Sequence, residues 1–296
     1  MKRELDIVVI SDVHLGTYSC HAKELLQYLK SVNIKTLILN GDFIDIWQFR
    51  KRYFPKEHMQ VIQRILKMAA NGTKVYYITG NHDDALRRYS DFSSGNIHLR
   101  DKLVLQLKGK KYLFFHGDVF DLCFQYSSII AKIGGKSYDW LILINRFVNK
   151  IRTMMGKPRM SFAQKVKYSM KGAVKFVNEF EEMALRMAAD QHYDYVVCGH
   201  IHQPQMRTCK VQDNRVIYLN SGDWVESLTA LEYKWGRWSI YEYDEADYEI
   251  KPPRLRAESH RSDNDEDEEA DTTYALEDVF EHIVRYSPTS RKRSAM

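Results

Sequence analysis

The chain of 296 residues lacks any apolar run of the roughly 20 residues that a membrane-spanning helix requires. Its first residues, Met1–Glu4, carry charge and lead directly into an apolar run, unlike a secretory signal. Four cysteines form no CxxC pair and no disulfide framework: Cys20, Cys123, Cys198 and Cys209. These absences disfavour a membrane-spanning or disulfide-stabilised secreted protein and predict a reduced, cytoplasmic one.

Charge is unevenly distributed, although the formal total is only +5. Between Ala131 and Lys175, eleven Lys or Arg residues accompany a single acid, and from Glu258 to Asp271 eight acids accompany one arginine. Because 44% of the residues are hydrophobic, the chain can bury a full core. We expect one domain over residues 1–255 with a basic insertion at about 121–190. Residues 256–296 are predicted to be an acidic, disordered tail with one short helix, either a solvated linker or a segment that binds a basic partner or masks the insertion.

Short runs rich in Val, Ile and Leu alternate with stretches of helical periodicity. Helical spacing covers about His21–Val32 and His58–Asn71, and within the insertion it covers Leu141–Met155 and about Ser161–Ala189. Strands alternating with helices predict an α/β layered fold with much of the sheet parallel. The predicted strands are Asp6–Ile10, Thr36–Asn40, Val75–Thr79, Leu103–Leu107, Tyr112–Phe115, Tyr195–Cys198, Val216–Asn220 and Trp238–Tyr243.

Five short polar motifs each follow one of these strands. An isolated Asp-x-His or Gly-Asp is usually an ordinary hydrogen-bonding pair or a turn, but five in succession favour a common function. Open α/β sheets have their ligand crevices beyond the carboxyl ends of the strands, so we expect the motifs to share one site. The motifs are Ser11–His14, Gly41–Asp42, Gly80–Asp83, His116–Asp118 and Gly199–His202.

The motifs supply seven candidate metal ligands: Asp12, His14, Asp42, Asn81, His116, His200 and His202. The pairs Asp12–His14 and His200–His202 have the spacing that puts side chains on the same side of an extended strand. Asp42 has two oxygens with which to bridge two ions. Mixed oxygen and imidazole donors suit Mn²⁺, Zn²⁺ or Fe, whereas an all-oxygen set would favour Mg²⁺ or Ca²⁺.

In their order and spacing the five motifs resemble those of the calcineurin-like metallophosphoesterases, over about Asp6 to Tyr243. The resemblance implies a sandwich of two β-sheets flanked by helices, with the insertion as a helical cap. It also implies two divalent metal ions, for which we predict Mn²⁺. One ion would be held by Asp12, His14, Asp42 and His202, and the other by Asp42, Asn81, His116 and His200.

The same resemblance implies hydrolysis of a phosphodiester or pyrophosphate bond. Two cations roughly 3.5–4 Å apart acidify a bridging water and neutralise the phosphoryl oxygens, so that hydroxide attacks in line with the leaving oxygen. The predicted catalytic residues are Asp42, Asn81 and His82, of which His82 would protonate the leaving group or stabilise its charge. Asp83 is expected either to orient His82 or to cap a helix.

Within this family the chain is most similar to the UDP-2,3-diacylglucosamine diphosphatases of lipid A synthesis and their relatives. The likeness rests on the helical insertion and on three segments, Ile10–Gly16, Gly41–Trp47 and Asn220–Ser227. It implies cleavage of UDP-2,3-diacylglucosamine into UMP and an acylated sugar 1-phosphate, at the cytoplasmic face of the inner membrane. The apolar face of the insertion would cover acyl chains, and its cations would meet phosphates or an anionic membrane surface, foremost Lys165, Lys167 and Lys171.

Other interpretations stay open on the sequence. The lipid A enzymes often carry Arg where this chain has His82, and the acidic cluster after their fourth motif is replaced by Val119–Asp121. A paralogue acting on another lipid phosphate or nucleotide diphosphate is therefore the main alternative. The insertion either covers substrate or packs on the core with a solvated basic face. It lacks a basic-aromatic stacking surface, which disfavours nucleic acid as a partner and a nuclease as the function, and the seven retained ligands disfavour a non-catalytic scaffold. The oligomeric state is not predicted.

Overall fold

Two mixed β-sheets form the first of two structural units, Met1–Tyr243. The computed structural model describes residues 2–47, 53–121, 171–211 and 214–248. In the second unit, Asp244–Met296, the described part is a 3₁₀ turn, Glu245–Asp247, capped by the Asp244 side chain. The predicted tail at 256–296 and the predicted helix Leu141–Met155 lie outside the described residues. No helix within the described ranges is both long and apolar enough to cross a membrane.

Strands and helices alternate over residues 3–78, as the sequence predicts, and runs of successive strands follow. The elements are β1 (Arg3–Ile10), α1 (Ala22–Ser31), β2 (Val32–Asn40), α2 (Lys56–Ala70), β3 (Lys74–Ile78), β4 (Ser93–Ser94), β5 (Ile97–Arg100), β6 (Leu103–Leu107), β7 (Lys110–Phe114), α3 (Lys171–Asp190), β8 (Tyr195–Cys198), β9 (Gln205–Val211), β10 (Asn214–Asn220), β11 (Thr229–Lys234) and β12 (Arg237–Glu242). Short 3₁₀ helices cover Asp84–Tyr89 and Asp118–Phe120.

The first sheet has the strand order β12-β11-β1-β2-β3-β5-β4, and the second has the order β6-β7-β8-β10-β9. Helices α1 and α2 pack on each other and against the first sheet, whereas α3 packs on β8, β9 and β10 of the second. The prediction of an α/β fold with two β-sheets flanked by helices is confirmed.

Parallel pairing aligns the ends of the strands that carry the motifs. Strands β1, β2 and β3 are parallel neighbours in one sheet, and β7, β8 and β10 are parallel neighbours in the other. Within the second sheet, Gly199 N donates to His116 O. The motif loops of the two sheets meet at this edge, because His200 N donates to the Asp12 carboxylate. The terminal pairs are Ile10↔Leu39, Asn40↔Ile78, Phe114↔Val197 and Cys198↔Asn220.

Strands β7, β8 and β10 are apolar on both faces because they separate two cores. Phe114, Val197 and Leu219 point into the core between the sheets, where they meet Ile7, Val9 and Ile38. The residues that alternate with them along the strands pack instead beneath α3, where Phe180, Ala184 and Ala188 are fully buried. These strand residues are Leu113, Val196, Cys198, Val216 and Tyr218. This alternation explains why these strands read as continuous apolar runs in the sequence.

Four strands escape the sequence analysis: β4, β5, β9 and β11. Strand β9 lies at a sheet edge and alternates exposed polar residues, so it has no apolar run. Strand β11 contains the buried acid Glu232, which the pattern treats as a break. The Glu232 carboxylate accepts two hydrogen bonds from Arg3 and one from Tyr28, each at 2.9 Å. Such pairing permits a buried charge in a central strand. Cys198 and Cys209 are free thiols, and Cys123 lies outside the described residues.

Candidate metal centre

Five of the seven predicted ligands have a left-handed backbone conformation, a region that only about a few per cent of non-glycine residues adopt. Such residues are strained and cluster at functional sites. The prediction that strand alternation brings Asp12 and His14 to one side is wrong, since both lie beyond the end of β1. The loop instead turns both side chains into the interior. The φ angles are 53° at Asp12, 54° at His14, 52° at Asp42, 66° at His200 and 54° at His202.

Backbone hydrogen bonds tie the loop after β1 to the loop after β2. Asp12 N donates to Gly41 O at 3.1 Å. The amides of Val13 and His14 both donate to Asp42 O, at 3.0 and 2.9 Å. Ligands from two separate motifs are therefore fixed relative to each other by the main chain.

Asp12, His14 and His202 form a first group of donors, with one ligand atom of each within 4.8 Å of the others. His202 Nε2 lies 3.2 Å from Asp12 Oδ1, and the His14 and His202 ring centroids are 5.4 Å apart. The other oxygen, Asp12 Oδ2, accepts the amide of His200 at 3.0 Å. This bond orients the carboxylate so that Oδ1 faces the group.

Asp42, His116 and His200 form a second group under the same 4.8 Å criterion. Asp42 Oδ2 lies 3.2 Å from His116 Nε2 and 4.0 Å from His14 Nε2, so this carboxylate stands between the two groups. His116 Nδ1 lies 2.9 Å from Asn40 O, which accepts its N–H and leaves Nε2 as the ligand atom. The position of Asp42 agrees with the predicted bridging role.

Several buried polar atoms of the predicted ligands make no hydrogen bond of normal geometry to any described residue. A buried polar atom without a partner costs about 1–3 kcal/mol, so a cluster of them calls for an explanation. Divalent cations would provide one, because carboxylate, amide oxygen and imidazole are all suitable ligands. The residues present therefore fit divalent metal ions. The atoms are Asp12 Oδ1, His14 Nε2, Asn81 Oδ1 and His116 Nε2.

Carboxylates and imidazoles of the centre have pKa values shifted in opposite directions. Burial raises the pKa of the Asp12 carboxyl, but the nearby charge of His202 outweighs burial and lowers it to about 2. At Asp42, burial is likewise outweighed by the charge of His116, and the pKa lies well below its usual range. Burial lowers the pKa of His14, but hydrogen bonding and nearby carboxylates raise it to about 9. The centre thus favours positive charge beside its carboxylates.

Asp45 is a site residue that the sequence analysis missed. Its buried Oδ2 lies 2.8 Å from His82 Nδ1 and 3.4 Å from His14 Nδ1, so it orients both rings. Trp47, which is 57% exposed, has its ring centroid 5.3 Å from that of His82. In the sequence, Asp45 is recognisable only as an aspartate three residues after Asp42. This spacing does not distinguish a residue of the site from an aspartate that forms a turn.

Asp83 differs from both expectations. Asp45 is the residue that bonds to His82, and among the described residues Asp83 makes no side-chain capping bond to the 3₁₀ helix Asp84–Tyr89. It joins loops instead, and burial raises its pKa to about 6. Its carboxylate accepts from Gly80 N at 2.6 Å, Phe43 N at 3.0 Å and the Tyr77 hydroxyl at 2.6 Å.

The segment after β10 contacts two members of the first donor group, Asp12 and His202. Asp223 is fully buried, with Oδ2 3.7 Å from His202 Nδ1. Its Oδ1 accepts the amide of Val225 at 2.8 Å, and Trp224 N donates to Asp12 O at 3.1 Å. The sequence identifies this segment only by its similarity to the lipid A enzymes and does not predict its position beside His202.

Two motif glycines leave room for ligands from neighbouring loops. A Cβ at Gly80 would lie 2.2 Å from Asp42 Oδ1, and one at Gly199 would lie 2.6 Å from Asp12 Oδ2. Real Cβ atoms do not approach other atoms so closely, so the glycines are required by packing.

The predicted substrate-binding lysines are not placed by the structure. Lys165 and Lys167 lie outside the described residues. Lys171 begins the described part of α3, and its side chain also lies outside the description. Their role stays a prediction.

The calcineurin-like phosphoesterase family matches residues 5–204, which is most of the chain. The chain belongs to this family and is a metal-dependent hydrolase. The geometry above agrees with that membership, because all five motifs contribute buried or partly buried donors to one region.

Among curated proteins, relatives named UDP-2,3-diacylglucosamine hydrolase are similar along most of their length. The one from Aliivibrio fischeri (strain MJ11) is 25% identical over 235 residues, covering 77% of this chain and 95% of the relative. The one from Aeromonas salmonicida (strain A449) is 24% identical over 270 residues, covering 88% of this chain and all of the relative.

Two solved structures are similar at lower levels. A novel archaeal phosphodiesterase has a TM-score of 0.41 and 13% identity, covering 80% of this chain and 98% of its own. Yfce, a phosphoesterase from E. coli, has a TM-score of 0.39 and 12% identity, covering 80% of this chain and 99% of its own. The family assignment rests on the sequence match.

Replacing Asp42 by Ala is expected to remove both metal binding and activity, because this carboxylate stands between the two donor groups. Metal content, measured on the purified protein, should fall together with phosphoesterase turnover. Asp6→Ala is the matched control, since Asp6 is a partly exposed acid in the middle of β1 that pairs with Lys35. Full turnover of Asp42→Ala at normal metal loading would contradict the assignment.

Gly80→Ala and Gly199→Ala are expected to weaken metal binding although neither changes a ligand. The new methyl group displaces the Asp42 or Asp12 carboxylate, and we expect at least about a tenfold loss of metal affinity. Gly109→Ala is the control, because its φ of +78° carries the greater backbone strain but a Cβ there meets nothing within 4 Å. Calorimetric titration with Mn²⁺ measures the difference, and equal affinities in all three variants would refute the packing argument.

Proposed function

We propose that the chain is a two-metal pyrophosphatase that hydrolyses UDP-2,3-diacylglucosamine to UMP and an acylated sugar 1-phosphate, with Mn²⁺ as its metal. The observation that carries the proposal is the Asp42 carboxylate, 3.2 Å from His116 of one donor group and 4.0 Å from His14 of the other. Two divalent cations, when bound, supply neutralising charge for the phosphoryl oxygens and an activated water. The names of the curated relatives support the choice of substrate.

The chain's own residues would orient the leaving group. Asp45 accepts from His82 through Nδ1, which leaves Nε2 of that ring as the atom that holds a proton for the leaving oxygen. The His82 side chain is 23% exposed, so substrate can reach it. Its amide donates to Asp42 Oδ1 at 2.8 Å, and this bond fixes the catalytic histidine relative to the bridging carboxylate. Asn81, the adjacent residue, has a buried amide oxygen suited to the second cation.

The proposed substrate contacts extend beyond the described residues. We assign acyl-chain covering to the insertion at 121–190 and phosphate or headgroup contacts to Lys165, Lys167 and Lys171. The basic composition of this insertion supports peripheral binding to the anionic cytoplasmic face of a membrane. The exposed indole of Trp47 offers an apolar face beside His82 for the part of the substrate nearest the bond.

A second candidate is hydrolysis of another lipid phosphate or nucleotide diphosphate. It is favoured by the His82–Asp45 pair, because the lipid A enzymes often carry Arg where this chain has His82. A histidine can donate a proton to a leaving group, whereas an arginine contributes fixed positive charge.

The His82→Ala variant is expected to lose about 10²–10⁴-fold in turnover of substrates with a poor leaving group while it keeps its metal content. The loss should be much smaller for a nitrophenyl ester, whose leaving oxygen needs no proton. His98→Ala, a substitution of a partly exposed histidine on β5, is the control. An equal loss for both leaving groups would show that His82 does not act as an acid.

The substrate itself is tested with purified protein and added Mn²⁺. UDP-2,3-diacylglucosamine, unacylated UDP-N-acetylglucosamine, a simple phosphomonoester and single-stranded DNA are compared, with Asp42→Ala as the inactive control. We expect rapid UMP release from the acylated substrate and little from the unacylated one. Turnover of another phosphoester without UMP release would move the assignment to the second candidate, and cleavage of DNA would identify a nuclease.

A further inference from the structure

Both ends of the predicted insertion at 121–190 contact His200. At its beginning, Asp121 Oδ1 lies 2.7 Å from His200 Nε2. Near its end, Phe180 of α3 is fully buried, with its ring centroid 6.0 Å from that of His200. Residues almost sixty positions apart in the sequence therefore meet at one predicted ligand.

Asp121 determines which nitrogen of His200 remains for a cation. A carboxylate accepts only, so His200 must donate its Nε2–H, and Nδ1 is then the unprotonated ring atom. Ligating histidines generally donate their other N–H to a carboxylate or carbonyl, which fixes the tautomer and raises the basicity of the ligand atom. His116 shows the same arrangement, with Asn40 O as its acceptor.

Phe180 fixes the position of the same ring by packing. A Cβ at Gly117 would lie 2.5 Å from the Phe180 ring, so this side chain fills the space directly behind the loop that carries His116. Phe120 packs edge-on against Phe180 at a centroid distance of 5.5 Å and continues this contact to the start of the insertion. The first donor group is supported by other residues, Asp45 and Asp223.

We propose that Asp121 and Phe180 are positioning residues for the second cation, so that the parts of the insertion at Asp121 and in α3 belong to the metal centre and are not only a cover for substrate. The inference rests on the proposed two-metal centre. The proposal predicts that the two ions are affected unequally. Loss of Asp121 weakens binding of the second cation and leaves binding of the first unchanged. The second cation is the one assigned to Asp42, Asn81, His116 and His200.

The test is titration of the metal-free full-length protein with Mn²⁺, by calorimetry and by electron paramagnetic resonance of the coupled ion pair. The wild type should bind two ions. Asp121→Ala should bind one ion with unchanged affinity and the other about 10–100-fold more weakly, with loss of the coupled signal. Asp121→Asn should be intermediate, because its amide oxygen accepts the same N–H without the charge. Glu182→Gln, an exposed substitution on α3, should match the wild type.

Phe180→Leu provides an independent test that leaves the hydrogen bond intact. It should weaken the same ion, provided that circular dichroism shows a folded protein. Two unchanged affinities in Asp121→Ala, or equal weakening of both ions, would overturn the positioning role. A wild type that binds fewer than two ions would instead overturn the proposed centre, so the two failures are distinguishable.

Discussion

The structure depends on holding several carboxylates and imidazoles in one volume that solvent barely reaches. Asp12 and Asp42 are almost completely buried, and the charge of Asp42 opposes ionisation of Asp12. Such a cluster is tolerated only when positive charge lies among the carboxylates, because burial of unpaired charge costs several kcal/mol or more. Protonated histidines supply part of this positive charge. Divalent cations would supply the rest, bound by the donors that the chain directs into the interior. The surrounding hydrogen bonds maintain this electrostatic arrangement.

The fold brings the charges together at the price of local strain. Parallel strands from two sheets end at one edge, so short loops suffice to bring donors from five motifs into contact. The loops turn through left-handed residues, which are unfavourable for Asp and His, and glycines such as Gly80 admit carboxylates from neighbouring loops. Asp83 and Asp223 offset part of this cost, since each accepts several backbone or hydroxyl hydrogen bonds in the interior.

The sequence predicts the strands that are apolar on both faces and the donors that follow them, because both signals are local. It misses β9, whose edge position leaves polar residues exposed, and β11, whose buried Glu232 depends on partners more than 200 residues away. It correctly predicts that the side chains of Asp12 and His14 share one region, but it gives the wrong reason. The turn after β1, and not strand alternation, directs these side chains inward. Asp45 and Asp121 act through contacts between distant loops, which no spacing reveals.

The division between metal-binding motifs and a substrate-binding insertion is therefore less sharp than the sequence suggests. The motifs supply every predicted ligand, but the orientation of His200 depends on Asp121 at one end of the insertion and on Phe180 near the other. His82 depends in turn on Asp45, which also contacts His14. A change at Asp121 or Phe180 would thus be transmitted to the second donor group through one histidine ring.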